Sequence, residues 1–334
     1  MIGRHQTKRD VRQERKIELN TVRATRRRRF RILVCVNGTD PSYEGIDLAA
    51  RIGKDDNCDI ILLYVRRIDQ GLNSGGLQVR VARQNMLEWG LELPGIQYLG
   101  RGRDMLLERG FLGNEWDERI DHTDVFGDPL GDNKVEYRAA SGKSIVLKLK
   151  TAPDVSSGVL DQYELGPYNL IIMGPPKRWR GELRSFMEPS SVQKVAMLAP
   201  GSVLTVRAPI AGNGYLLCTD GSDRSLEAMK RAAVLAHFNG EPVNILSVVS
   251  VGSETEALRN KIGQFKRNLT TNGILVNDVD VMVGEPVPAI IEAGKSSSVI
   301  VVSDSGKSKF RRFVVGSVAF DVMGAANRSV LNIR

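Results

Sequence analysis

Cysteine and histidine are scarce in this 334-residue chain, at three each. Cys35, Cys58 and Cys218 stand far apart with no CxxC pair, a pattern of buried thiols in a reducing compartment rather than a disulfide or zinc set. His5, His122 and His237 are equally scattered, so neither a histidine-based metal site nor a nucleophile–histidine pair has the residues it needs. Long apolar runs are missing too. Nothing approaches the roughly 18 residues of a membrane span, and the N-terminus has no secretory apolar core. A cytoplasmic, membrane-free chain of roughly two domains is the expectation.

Charge is present but unevenly placed. The formal net charge is +8. Residues 1–31 hold twelve Lys or Arg against three acidic residues, densest at "ATRRRRFR" (24–31), while the remainder carries 35 basic and 36 acidic residues. The body is near neutral and the basicity sits in one arm. Residues 1–29 are expected as a disordered extension. Residues 4–31 could alternatively meet an acidic or nucleic-acid partner by electrostatics.

The chain repeats itself. "RILVCVNGTDPSYEGIDLAARIG" (31–53) matches "GYLLCTDGSDRSLEAMKRAAVLA" (214–236) at a constant offset of 183, which sets Cys35 on Cys218, Gly38 on Gly221 and Ser42 on Ser225. Each copy is an apolar strand, then a small polar turn placed to cap a helix by Asp40-Pro41 or Ser222-Asp223, then apolar residues at helical spacing. Further on, "NLIIMG" (169–174) answers "SVIVVS" (298–303) at an offset of 129, and "SVLTVR" (202–207) answers "SVLNIR" (329–334) at 127. The first copy therefore holds 54 extra residues, between about 71 and 150. Within them the expected pieces are a helix near 79–93, a polar loop at 112–134, and a hairpin of "KVEYRAA" and "SIVLKLK" joined at Ser141-Gly142.

Alternating strands and helices with near-continuous apolar strands predict an α/β fold of two doubly wound, five-stranded parallel-sheet domains. The expected boundaries are 30–207, with the insertion, and 213–334, joined by the "APIAGNG" link (208–214). Ligands of such sheets bind at the carboxyl ends of the strands, where strand order switches.

The familiar nucleotide motifs fail. "GKS" at 142–144, 294–296 and 306–308 lacks the earlier glycine of a Walker loop, with Tyr137, Ala289 and Val301 in its place. A better candidate leaves the fourth strand of the second copy at Val302. It passes Ser303-Asp304-Ser305-Gly306 and nine residues later reaches Gly316-Ser317 at a helix start. Glycine lets backbone approach a ligand, and the free N–H groups of a helix start hold phosphate oxygens. Lys307, Lys309, Arg311 and Arg312 add positive charge, and the Asp220-Gly221-Ser222 turn lies across the switch point.

These residues resemble a tandem universal stress protein, of the adenine-nucleotide α-hydrolase-like superfamily. That family shows a V-D-G-S-like turn after its first strand, and many members carry G-x-x-G, nine residues, then G-S or G-T after the fourth. Asp220, Gly221 and Ser222 match the turn. Gly306, Gly316 and Ser317 match the loop, with Ser303 replacing its first glycine. The resemblance covers about 30–70 and 160–334. It implies a regulatory protein that binds an adenine nucleotide, ATP with or without Mg²⁺, in the C-terminal domain. It further implies Val318 beside the phosphates, Asp220 near the nucleoside, Val248 or Val249 walling the base, and the two domains facing each other as an intramolecular pseudo-dimer. The first copy departs further, with Asn37 for the turn acid, Pro175-Pro176 in the loop and Ser190-Ser191 for Gly-Ser, so its site should be degenerate. Two other readings stay open: an adaptor that binds no nucleotide and uses the insertion and the arm, or a slow ATP hydrolase. No catalytic residue is assigned.

Overall fold

The computed structural model describes residues 28–68, 94–125, 128–162, 167–175, 190–207, 209, 211–249, 255–304 and 316–334. The arm before residue 28, the helix expected near 79–93, part of the 208–214 link and Gly306 with the four basic residues after it lie outside these. Among the described residues no helix is long and apolar enough to cross a membrane.

In chain order the first half contains β1 (Phe30–Cys35), α1 (Asp40–Ile52), β2 (Cys58–Arg67), α2 (Pro94–Glu108), β3 (Asp117–Val125), β4 (Asp128–Arg138), β5 (Ser144–Ala152), α3 (Val155–Leu160), β6 (Leu170–Met173), α4 (Ser191–Leu198) and β7 (Ser202–Thr205). The second half contains β8 (Tyr215–Cys218), α5 (Asp223–Phe238), β9 (Val243–Val249), α6 (Thr255–Thr271), β10 (Val276–Val283), α7 (Pro286–Ala293), β11 (Val299–Ser303), α8 (Ser317–Ala325) and β12 (Ser329–Ile333).

All twelve described strands lie in one sheet, ordered β10-β9-β8-β11-β12-β7-β6-β1-β2-β5-β4-β3. From β10 to β12 every pairing is parallel, as the alternation of apolar strands with helices requires. From β7 through β6, β1 and β2 to β5 the pairing is again parallel. The two runs meet at β12 and β7, which pair antiparallel with Leu331 opposite Leu204. Apolar side chains bury on both faces. Ile32, Val34, Leu217 and Val301 turn to the layer under α1, α2, α5 and α6, while Leu33, Ile171, Leu216 and Val330 turn to the layer under α3, α4, α7 and α8.

The insertion differs from its sequence reading. The hairpin of β4 and β5 forms, with Gly142 at φ 85° in its turn. Yet β5 also pairs parallel with β2, Ile60 opposite Ile145, so it is the third strand of the first half rather than inserted material. The polar stretch 112–134, expected as a solvated loop, contains β3 and the start of β4, paired antiparallel. Its charges hid the strand pattern because β3 is the sheet edge, and most of its residues are exposed on both sides.

Close helix–sheet approach is visible at Gly45 of α1, where an added Cβ would stand 2.8 Å from Ile172 Cγ2. Gly45→Leu should therefore destabilise the fold by about 2 kcal/mol through overpacking. Gly100→Ala on α2, where a Cβ meets nothing within 4 Å, should add about 0.5–1 kcal/mol by helix propensity. Denaturant unfolding reads both, and opposite signs are the expected result. The three cysteines are free thiols. Burial raises all three, Cys35 and Cys58 to about 12. Iodoacetamide at pH 8 should thus label the native protein far more slowly than the unfolded chain, because the thiolate is the nucleophile; equal rates would refute it.

Candidate functional site

The second half opens a pocket at the carboxyl ends of β8, β9 and β11, where the order of strands reverses around β8. Its floor is the strand-end residues Cys218, Leu246 and Val302, its walls are Val248 with Pro286 and Ile290 of α7, and Val318 and Ala319 of α8 close the far side. The rim is polar: Thr219, Asp220, Ser225 and Ser303.

The turn after β8 is built by local hydrogen bonds. Asp220 Oδ1 accepts from the Ser222 backbone N–H at 2.9 Å and from Ser222 Oγ at 2.7 Å. Ser222 then N-caps α5 by accepting from Ser225 N–H at 3.3 Å, the capping its sequence predicted. Gly221 sits at φ 75°, a conformation that favours glycine, and a Cβ there would also make the Leu258 side chain shift. Beneath the turn runs a chain of hydroxyls. Thr219 Oγ1 accepts from Gly221 N–H at 3.1 Å and shares a hydrogen bond with Ser225 Oγ at 2.9 Å. Ser225 Oγ in turn lies 3.3 Å from Ser303 Oγ. Ser303, at the end of β11, is thereby tied to the opposite turn.

Across the pocket, α8 starts at Gly316, an N-cap residue that gives the first turn no side-chain cap of its own. Those N–H groups and the positive end of the helix dipole point to a place suited to an anion. The described structure therefore brings Asp220, Val248, Val302, Ser303 and Val318 to one pocket, with Gly221, Ser222, Gly316 and Ser317 immediately beside its lining. Val249 is not among the lining residues. Gly306 lies outside the described residues. Thr219, Ser225, Pro286, Ile290 and Ala319 were not singled out from sequence. Ser225 had a signal, since it aligns with Ser42 in the repeat, whereas Ile290 reaches the site only through the packing of α7. Among the described residues no cluster of His, Cys, Asp and Glu could hold a metal ion.

The corresponding place in the first half keeps the turn and changes its surroundings. Asn37 Oδ1 takes the aspartate's part, accepting from Thr39 N–H at 3.2 Å and Thr39 Oγ1 at 2.6 Å, with Gly38 at φ 79°. Thr39, rather than Asp40, occupies the N-cap of α1 and makes no side-chain cap hydrogen bond. Val36 replaces Thr219 and Gly174 replaces Ser303, so the hydroxyl chain is absent. The start of α4 is already satisfied: Ser190 Oγ accepts from Gln193 N–H at 3.3 Å while Gln193 Oε1 accepts from Ser190 N–H at 3.0 Å, a capping box. α3 also lies close on the strand end, since a Cβ on Gly158 would come 2.6 Å from Val65, the residue in register with Val248.

The sequence model of the universal stress protein family matches residues 215–334. A search of the curated proteins found no significant match. Among solved structures, a universal stress protein from Archaeoglobus fulgidus DSM 4304 is similar over 91% of this chain and 96% of its own, at 15% identity and a TM-score of 0.52. A candidate universal stress protein from Pseudomonas aeruginosa UCBPP-PA14 covers 93% of this chain and 94% of its own, at 14% identity and a TM-score of 0.55. At these identities the likeness is one of fold, and it spans both halves. A universal stress protein in complex with cAMP is 24% identical over 37% of this chain and 98% of its own, with a TM-score of 0.32. On the family match the chain carries a universal stress protein domain at residues 215–334, and the pocket described above lies wholly inside it.

Proposed function

We propose that the chain is a regulatory protein of two paired domains, 30–207 and 213–334, and that it binds one adenine nucleotide, ATP, in the second. The observation that carries this reading is the pocket at the switch point. It is apolar between Val248, Ile290 and Val302, polar at Asp220, and faced by a helix start whose N-cap glycine supplies no side-chain cap. A flat aromatic base suits the apolar slot. A ribose hydroxyl suits a carboxylate whose Oδ1 is already held in place by Ser222, and phosphates suit the N–H groups of Gly316 and Ser317. Gly306 joins them in this reading by its spacing in sequence.

The first half is proposed to stay empty. Its helix start is occupied by its own capping box, Pro175 follows Gly174, and α3 closes on Val65. Retained turn geometry there serves the fold.

Titration calorimetry with ATP tests this directly. One site per chain is expected, with adenine nucleotide released on denaturation as seen by mass spectrometry. Gly316→Val places a branched side chain where backbone must meet phosphate, and should reduce affinity by at least about 100-fold while leaving the fold intact, since Gly316 has extended φ and ψ of −60° and 149°. Ser190→Val, at the matching helix start, should lower stability by about 1 kcal/mol through the lost cap and leave ATP binding unchanged. Two equivalent sites, or normal binding by Gly316→Val, would overturn the assignment.

A further inference from the structure

The residues that follow the two seam strands form a matched pair. β7 runs into Arg207 and β12 into Arg334, and each arginine crosses to the opposite half. Arg207 N–H donates to Ser329 Oγ at 2.9 Å, and its guanidinium donates to the carbonyls of Met323 at 2.9 Å and Arg328 at 3.1 Å. Arg334 N–H donates to Ser202 Oγ at 3.1 Å, and its guanidinium donates to the carbonyls of Ala196, at 2.7 Å, and Ala199. Met323 and Ala196 belong to the last turns of α8 and α4, whose final carbonyls have no partner within the helix. A guanidinium there meets both open acceptors and the negative end of the dipole. One offset of 127 relates the arginines, the serines and the helix carbonyls.

The match is not complete: the second carbonyl differs, Arg328 for Arg207 and Ala199 for Arg334, and one further contact belongs to Arg334 alone. Arg334 Nε also donates to Asp304 Oδ2 at 2.6 Å, with the two side chains 11% and 15% exposed. In the first half the residue 129 positions earlier is Pro175, which has no carboxylate. Asp304 is the residue directly after β11. The residue before it, Ser303, lines the pocket, and the chain beyond it leads to Gly316. Its other oxygen, Oδ1, is buried with no hydrogen-bond partner among the described residues, so the charge of this carboxylate is balanced at Arg334.

We infer that Arg334 is a positioning residue for the pocket of the second half. By holding Asp304 it fixes the end of β11 that carries Ser303 into the pocket, and by holding α4 it ties that strand end to the seam with the first half. Its ligand-dependent part rests on the ATP reading above, while its mechanical part does not.

The internal symmetry supplies the control. Arg334→Met and Arg207→Met each remove one arginine's bonds to a helix end and keep an unbranched stem, so both should lower the thermal midpoint by similar amounts. In ligand-free full-length protein, only Arg334→Met should speed amide exchange in the peptide carrying Ser303 and Asp304. Only Arg334→Met should weaken ATP, by about tenfold, with Arg334→Lys recovering part of the loss. If Arg334→Met does not fold, Asp304→Asn leaves the α4 contacts in place and should give the same exchange signature. Equal weakening by both methionine variants, or unchanged exchange at Ser303 and Asp304, would overturn the inference. Wild-type protein that binds no ATP would sink the ATP reading instead, and the exchange result alone would then decide the positioning role.

Discussion

The antiparallel pairing of β7 with β12 is the contact on which the rest of the arrangement depends. Each half ends its parallel run on a short strand, four residues in β7 and five in β12, that is buried throughout. Left unpaired, such a strand would present open N–H and C=O groups along an apolar edge. Pairing the two satisfies both, joins the halves into one sheet, and brings two apolar layers into continuity across the join. Because the register is antiparallel and centres on Leu204 opposite Leu331, the residues that follow one strand lie beside the start of the other. The crossed arginines are a consequence of that register.

Similar folding has not kept the two halves alike. The turn after the first strand is preserved by the same side-chain chemistry, an Oδ1 accepting from the backbone and hydroxyl two residues on, whether the residue is Asn37 or Asp220. What differs lies around it. A hydroxyl ladder of Thr219, Ser225 and Ser303 underlies one turn. Valine and glycine stand at two of those positions beneath the other. One helix starts at a glycine that supplies no side-chain cap, and the other is self-capped. Each change removes a polar group that a ligand could use, or gives it a partner within the chain, so the geometric frame of a site survives where its free valences do not.

Much of this was legible in the sequence, for identifiable reasons. Strand and helix positions in the second half follow from apolar periodicity uninterrupted by insertions, and β11 and β12 fall within the repeated segments 298–303 and 329–334. The turn residues were legible because Gly221 needs positive φ and Ser222 needs to cap, both local demands. Thr219 and Ile290 were not, since a strand-end hydroxyl and a helix residue acquire their roles only when β8, α7 and β11 are brought together. Arg334 was equally opaque, its partners lying 30 and more residues away in sequence.

The insertion was misjudged most, and its error is instructive. Sequence placed β5 inside the extra material because it forms an obvious hairpin with β4, yet its other edge pairs with β2. β5 and β10 thus hold the same place in their halves, third in order from the first strand. They differ in what they could tolerate. β10 ends the sheet with Asn277, Asp278 and Asp280 exposed along it, charges that discourage further pairing. β5 has Ile145, Val146, Leu147 and Leu149 buried and no acidic residue. As a terminal strand it would offer an apolar edge to any passing chain. β4 and β3 extend the sheet beyond it until the edge is Asp117, Glu118, Arg119 and Asp121. The hairpin therefore moves the end of the sheet from β5, with Lys148 and Lys150 between its apolar residues, to a strand whose charges flank the exposed Ile120 and discourage further pairing.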